Sequence, residues 1–181
     1  MIRNRMILLF AAQTAAVLLL AGFTIQFQLQ RELERELGEK LTTVAATAAA
    51  TLPGDVVQLL GPGDENTRTY TALQQQLKKL NAAAGMQRLL VTSPDGTVLL
   101  DTAENPIGVP YTRFDFYIAE RRRVEQGQPT ASLLFQRQDG RWSMSGFAPL
   151  LQGGDLIGVI AVEGSAASLA TVDRVRQNLL W

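Results

Sequence analysis

The fold is decided by the run Leu-Ile-Gly-Val-Ile-Ala-Val at residues 156–162. These residues are apolar on both faces of the strand that they form, whereas a strand with one face in water alternates apolar and polar side chains. The run is therefore predicted to be a central strand, covered on both sides of its sheet.

Four further segments have the composition of short β-strands and are separated by turn residues. The turns are Ser-Pro-Asp-Gly at residues 93–96, Asp139-Gly140, and Gly-Gly-Asp at residues 153–155. Because such short connections join antiparallel neighbours, the sequence predicts an α+β fold with one central five-stranded antiparallel sheet flanked by helices. The predicted strands are 88–92, 97–101, 131–136, 142–150 and 156–163, and the predicted helices are 28–52, 56–60, 69–84, 114–126 and 165–180.

The long helix predicted over residues 28–52 has one apolar stripe. Its leucines recur at every fourth position, a spacing that drifts around a helix and is not a strict heptad repeat. Two interpretations stay open: the stripe packs against the protein's own domain, or it joins two chains in a parallel homodimer. The residues of the stripe are Leu29, Leu33, Leu37 and Leu41.

Residues 6–30 contain no charged side chain and are strongly apolar. About twenty such residues cross a bilayer as a helix, and Arg3 and Arg5 before the run favour a cytoplasmic N-terminus. The sequence therefore predicts that residues 1–30 are a cytoplasmic tail and a transmembrane anchor helix, with the lipid bilayer as a partner. A cleaved signal peptide is the alternative, which is disfavoured because the run ends without an Ala-x-Ala cleavage site.

The composition excludes several kinds of chemistry. The chain has 181 residues with 17 basic and 17 acidic side chains, no cysteine and no histidine. Disulfides, Cys/His zinc sites, Ser-His-Asp triads and a phosphorylated histidine are therefore impossible within it. The zero net charge and the lack of a basic tract argue against a nucleic-acid partner.

The spacing of the carboxylates in the sequence indicates neither a catalytic centre nor a metal site, and we expect no cofactor. Asp101 with Glu104 and Glu163 with Asp173 are scattered pairs, and no spacing brings two carboxylates to one reacting centre. Binding, sensing or scaffolding therefore fits the sequence better than catalysis within these residues.

Four stretches, taken in order, resemble a known family. They are the hairpin at residues 88–99, the segment 108–127, the hairpin at 138–150 and the strand at 154–163. Together they are similar to the extracytoplasmic Cache (PAS-like) sensor domains of bacterial membrane receptors, and most like those of sensor histidine kinases. The resemblance implies that residues 31–165 are such a domain. It also implies that residues 166–181 are a helix leading toward a second transmembrane span beyond this sequence.

The resemblance further implies a function and a location. The expected protein is the signal-sensing input region of a receptor in the bacterial cytoplasmic (inner) membrane, with its globular domain on the extracytoplasmic side. Ligand binding would be transmitted across the membrane as a displacement of helices, to an output module that is a histidine protein kinase. The alternative is a single-span scaffold or dimerisation module that binds no small molecule.

The resemblance implies a ligand site between the sheet and the layer of helix and loop that covers one face. Arg113 would hold a carboxylate, and the hydroxyls of Tyr111 and Tyr117 would donate hydrogen bonds, which indicates an organic acid or a similar ligand. Alternation along the strand 142–150 places three further candidates on one face. These three are Ser143, Ser145 and Phe147.

Each candidate also has a purely structural interpretation. The aromatic side chains would belong to the core, Asp115 would cap a helix, and the serines would face solvent. Arg88, Arg137 and Arg141 are further cationic candidates. Residues 121–123 are three arginines that form either a solvated helix face or a patch for anionic lipid.

Overall fold

A computed structural model describes residues 2–113, 117–137 and 139–166 of the chain. The helices of this part are α1 (Ile2–Thr51), α2 (Gly54–Val57), α3 (Arg68–Ala84) and α4 (Ile118–Glu125), with a short 3-10 turn at Asp64–Asn66. The strands are β1 (Arg88–Thr92), β2 (Val98–Asp101), β3 (Thr130–Ala131), β4 (Phe135–Gln136), β5 (Trp142–Gln152) and β6 (Asp155–Ser165).

The strands form one antiparallel sheet with β6 in its interior. The order is β2-β1-β6-β5-β3, and β4 pairs with β5 as well. The prediction that residues 156–162 form a central strand is confirmed, as is the α+β fold with an antiparallel sheet. The chain divides into two compact units, the first ending at Arg35 and the second beginning at Glu36, and the sheet belongs to the second.

The two faces of the sheet are covered by different elements of the second unit. Alternation along β6 sends Ile160 to one face and Ala161 to the other. The first face, here called the helix face, packs against α1 and α3 in a core that includes Leu41. The second, here called the loop face, carries a smaller apolar cluster in which Phe147 of β5 meets Val124 of α4.

Helix α1 approaches the helix face closely because two glycines leave room for Leu41. A Cβ atom at Gly146 would lie 2.6 Å from the backbone carbon of Leu41, and a Cβ atom at Gly164 would lie 2.7 Å from Leu41 Cδ2. Since atoms in a packed interior do not come so close, a side chain at Gly146 would displace the helix backbone.

The apolar stripe of α1 packs on its own domain where it meets the sheet. Leu41 is fully buried, and Leu37 is partly buried against the same core. The homodimer contact predicted for Leu41 is therefore wrong, because this side chain already fills the space beside the glycines. Leu33 is partly buried and Leu29 is exposed, so a homodimer contact nearer the N-terminus stays a prediction.

Helix α3 starts and ends close to the predicted bounds of 69–84. Thr67 precedes it, and the Thr67 Oγ1 atom accepts a hydrogen bond from the amide of Tyr70 at 3.2 Å. Gly85 ends it in the left-handed conformation with φ of 66°. Both ends carry the capping residues that the sequence favours at these positions.

The predicted strand 131–136 is divided into β3 and β4, and the reason lies in Ser132. Its amide donates to the carbonyl oxygen of Ser145 at 2.7 Å, while its Oγ atom accepts from the amide of Ser145 at 3.0 Å. The hydroxyl thus accepts the hydrogen bond of an N–H group that would donate to a backbone carbonyl in a regular ladder. The chain leaves the ladder at this point, and Leu133 is exposed.

Three predicted helices differ from the structure, the first being the short helix predicted at 56–60, which spans Gly54–Val57. The helix predicted at 114–126 begins only at Ile118, and residues 114–116 lie outside the described residues, so the predicted cap at Asp115 is not described. Ser165 ends β6 instead of starting a helix, because it still pairs with Ser143 across the ladder. The rest of that predicted helix, from residue 167, also lies outside the described part.

A membrane-spanning helix is not identified in the described part of the chain. There, no helix meets the length and apolarity that a membrane crossing needs. The transmembrane anchor predicted within residues 1–30 is therefore not confirmed and stays a prediction.

Candidate ligand-binding site

A row of polar side chains crosses the centre of the loop face. Arg88 of β1 is paired with Glu163 of β6, and Glu163 is paired in turn with Ser145 of β5. Directly opposite residues on antiparallel strands point to the same face with their Cβ atoms about 5 Å apart. The row therefore brings a cation, an anion and a hydroxyl together within an otherwise apolar surface.

Glu163 is the centre of this arrangement and is almost completely buried. Its Oε1 atom accepts a hydrogen bond from the Tyr111 hydroxyl at 3.1 Å and lies 3.5 Å from Arg88 Nη1. Its Oε2 atom accepts from Arg137 Nη1 at 3.3 Å. Arg113 Nη1 lies 3.4 Å from Oε1. A buried carboxylate is tolerated when it is paired in this way, and here three arginines surround one glutamate.

Arg88 is held in place by a second buried carboxylate, that of Asp101. Its Nε and Nη2 atoms donate to the two Asp101 oxygens at 3.0 and 2.5 Å. The amide of Ala103 and the side-chain amide of Asn105 donate to the same carboxylate. Burial acts to raise the pKa of Asp101, but these hydrogen bonds outweigh it and hold the pKa below its ordinary value. Arg88 is therefore fixed as a bidentate partner of Asp101 and reaches Glu163 with its remaining nitrogen.

Three polar atoms of the site lack a hydrogen-bond partner among the described residues. They belong to side chains that the sequence singles out: Arg113 Nη1, Ser143 Oγ and Ser145 Oγ. Arg113 is near Glu163 without a hydrogen bond to it, and its guanidinium carbon lies 5.0 Å from the centre of the Phe135 ring. Unpartnered donors of this kind are rare in buried positions, since each costs about 1–3 kcal/mol.

Aromatic rings form one wall of the site. The Tyr117 ring lies 5.5 Å from Phe147 and 6.4 Å from Phe135, measured between ring centres. Burial raises the pKa of Tyr117, while the nearby hydroxyls of Ser132 and Ser145 oppose this rise. The tyrosine therefore stays protonated at neutral pH, with its hydroxyl beside the serines.

Tyr111 is the more deeply buried of the two tyrosines. Burial, and after it the charge of Glu163, raises the pKa of Tyr111 far above its ordinary value. Its hydroxyl therefore remains a donor at all physiological pH values, which matches its hydrogen bond to Glu163.

The structure brings all six predicted site residues to the loop face. Tyr111, Arg113 and Tyr117 come from the segment before α4, and the other three come from β5. Phe147 is fully buried in the apolar cluster, so it supports the wall rather than offering a polar contact. Of the further cations, Arg88 and Arg137 belong to the site, whereas Arg141 is exposed and pairs with Asp139.

Glu163 is the residue of the candidate site that the sequence interpretation missed. The sequence places it only in a scattered pair with Asp173, which lies outside the described residues. The available signal was the period of two along β6, which puts Glu163 on the same face as Ala161. Its position opposite Arg88 depends on the register of the assembled sheet. In the described part of the chain, no group of three or more carboxylates could hold a metal ion.

The fold is that of the extracytoplasmic sensor domains of the Cache (PAS-like) type. Its solved structural neighbours include sensor domains of histidine kinases and of chemoreceptors. No protein-family model matches the sequence, and no curated protein sequence matches it. The likeness is therefore one of structure.

Three solved structures show its extent. The sensor domain of the Vibrio cholerae histidine kinase DctB has a TM-score of 0.66 at 13% identity, over 85% of this chain and 58% of that one. The Escherichia coli DcuS sensor domain has a TM-score of 0.57 at 15% identity, over 79% of this chain and 98% of that one. The sensory domain of the Campylobacter jejuni chemoreceptor Tlp3 with isoleucine bound has a TM-score of 0.58 at 10% identity, over 82% and 60%. This chain thus spans less than two thirds of the DctB and Tlp3 domains.

Proposed function

We propose that this chain is the sensory input region of a bacterial membrane receptor and that it binds a small organic acid on the loop face. One observation carries the proposal. Of the four buried side-chain polar atoms without a hydrogen-bond partner among the described residues, three lie in this site. All three can donate, so a ligand with carboxylate oxygens would satisfy them.

The same strands offer a route from the ligand to α1. On β5 the site residue Ser145 is followed by Gly146, and on β6 Glu163 is followed by Gly164. The first residue of each pair faces the ligand site, and the glycine lies against Leu41 of α1 on the helix face. A ligand that shifts β5 relative to β6 would thereby favour another packing of α1, which is a population shift between two arrangements.

The wider assignment rests on the sequence and on the kind of proteins that share the fold. The charge-free run at residues 6–30 and the arginines before it support an anchor in the cytoplasmic membrane with the sensor domain outside. The neighbours include sensor domains of histidine kinases, and a two-component histidine kinase is the output that we propose. A homodimer through Leu29 and Leu33 would bring together two copies of α1, the helix that we propose to transmit the signal.

A thermal unfolding experiment tests ligand binding. The full chain in detergent micelles is heated with each member of a panel of small mono- and dicarboxylic acids, and unfolding is followed by circular dichroism. A ligand that binds only the folded state stabilises it by about 2.7 kcal/mol at one hundred times its dissociation constant. For a domain of this size, that raises the midpoint by about 5–11 °C.

The control separates the site from general salt effects. Arg113→Gln removes the guanidinium whose Nη1 atom lacks a hydrogen-bond partner among the described residues, and it is expected to abolish the rise. Arg141→Gln changes an exposed arginine outside the site and is expected to preserve the rise. If no acid shifts the midpoint of the wild-type chain, the ligand-sensing function is wrong, and a dimerisation module without a ligand becomes the better account.

A further inference from the structure

We infer that Glu163 sets the charge of the ligand, so that the site accepts a monocarboxylate without an amino group. This inference rests on the proposed function and makes it more specific. It depends on the charges that the structure brings together on the loop face and on the partners that each of them already has.

Among the described residues, the ion-pair network of the site has a surplus of one positive charge. Ion pairs link three arginines, Arg88, Arg113 and Arg137, with two carboxylates, Asp101 and Glu163. Three positive charges less two negative charges give a surplus of one. A monoanion neutralises this surplus, whereas a dianion would leave an uncompensated negative charge in a largely buried place, which is costly.

The carboxylates of the site already have positively charged partners. Asp101 already accepts hydrogen bonds from Arg88, Asn105 and the amide of Ala103. Glu163 accepts from Tyr111 and Arg137. An amino acid would place its ammonium group beside guanidinium groups that repel it, so its binding should be much weaker than that of the acid without the amino group.

The unpartnered atoms fit a single carboxylate group. Arg113 Nη1 is near Glu163 Oε1, and Ser145 is the cross-strand neighbour of Glu163. Ser143 is two positions along the same strand and therefore on the same face. A carboxylate has two oxygens with several lone pairs, enough to accept from a guanidinium and from two hydroxyls at once.

Three acids with the same three-carbon chain test the inference by isothermal titration calorimetry. Propionate is a monoanion, malonate is a dianion and alanine is a zwitterion at neutral pH. For the wild-type chain in detergent micelles, we expect propionate to bind at least ten-fold more tightly than either of the others. Tighter binding of malonate or alanine would overturn the inference while leaving a sensor of organic acids in place.

Substitution of Glu163 provides the second arm of the test. Glu163→Gln raises the surplus to two positive charges, and the ratio of malonate to propionate affinity should rise at least ten-fold. Glu125→Gln makes the same chemical change at an exposed residue of α4 that pairs with Arg121, and the ratio should stay as in the wild type. An unchanged ratio in a folded Glu163→Gln variant would overturn the inference.

A third variant covers the case in which Glu163→Gln does not fold. Arg137 is only partly buried, and Arg137→Gln reduces the surplus to zero. We expect propionate affinity to fall at least ten-fold, and an unaltered affinity would overturn the inference. If the wild-type chain binds none of the three probes, the monocarboxylate inference is wrong, and the wider acid panel decides the sensor function separately.

Discussion

Leu41 of α1 lies against the bare backbone of β5 at Gly146, where a Cβ atom would come within 2.6 Å of the Leu41 backbone carbon. The neighbours of Gly146 along the strand are Ser145 and Phe147, which face the other side of the sheet. A single layer of backbone therefore separates the arginine-rich site from the helix that we propose to carry the signal.

Gly146→Ala is expected to destabilise the folded chain, because its methyl group meets the backbone of Leu41 and cannot turn away. Overpacking of this kind costs about 1–3 kcal/mol, measurable by urea denaturation. Gly61→Ala is the matched control, since the nearest atom to a Cβ there is 4.0 Å away. Equal stability of the two variants would show that α1 does not pack against β5 as described.

Ser143→Ala is expected to separate stability from binding. The Ser143 hydroxyl is buried with no partner among the described residues, so its removal should leave the free energy of unfolding unchanged or slightly higher. Affinity for the organic acid should fall, because one donor to the ligand is lost. Denaturation and calorimetry on the same variant measure both effects.

Ser132→Ala is the comparison for that variant. The Ser132 hydroxyl accepts the amide hydrogen of Ser145, and its loss leaves a buried N–H group unpaired. We expect a loss of about 1–3 kcal/mol in unfolding free energy. A Ser143→Ala chain that loses as much stability as Ser132→Ala would contradict the role given to the two hydroxyls.

Asp101→Asn is expected to lower stability at neutral pH and to matter less in acid. Because the folded-state pKa of Asp101 is lowered, its charged form stabilises the fold above the ordinary carboxyl pKa of about 3.9. That contribution is lost as the pH falls through the lower folded-state pKa, so the wild type should approach the variant. Urea denaturation at a series of pH values measures the difference, and a difference that grows toward low pH would contradict the assignment.

Asp139→Asn serves as the control for this pH series. Asp139 also has a lowered pKa, chiefly through its hydrogen bond with Arg141, but the pair is exposed to solvent. Exposed ion pairs contribute little to stability. We therefore expect no measurable difference from the wild type at any pH of the series.

Leu41→Ala and Leu29→Ala are expected to act on different properties. Loss of the buried Leu41 side chain leaves a cavity in the core and lowers the free energy of unfolding by about 2–5 kcal/mol. Leu29 is exposed, so Leu29→Ala should weaken self-association and leave unfolding unchanged. Analytical ultracentrifugation with urea denaturation separates the two effects, and a stable Leu41→Ala chain would exclude its place in the core.

The sequence predicted correctly those strands and helix ends that depend on residues close together in the chain. The run at 156–162 is apolar on both faces because β6 is covered on both faces, and Gly85 ends α3 because the left-handed cap favours glycine. The break between β3 and β4 was not predicted, because the hydroxyl of Ser132 replaces a backbone partner on a distant strand.

The sequence predicted the six candidate residues within their own segments and missed Glu163, whose place in the site depends on contacts between distant segments. Tyr111, Arg113 and Tyr117 belong to one dense aromatic and polar stretch, and that composition alone indicates a candidate site. Glu163 belongs to the site because it forms ion pairs with Arg88 on another strand and with Arg137 on another segment. The strand register that joins them depends on the assembled sheet, and no spacing in the sequence indicates it.

Hydrogen exchange measured by mass spectrometry tests the central claim most directly. The acid that raises the unfolding midpoint most is added to the full chain, and amide exchange is compared with and without it. The account predicts slower exchange at residues 143–147 on β5 and altered exchange at residues 36–51 of α1, with neither change in Arg113→Gln. Protection at β5 without any change in α1 would contradict the coupling between the site and the helix, and unchanged exchange in both segments would contradict the ligand site itself.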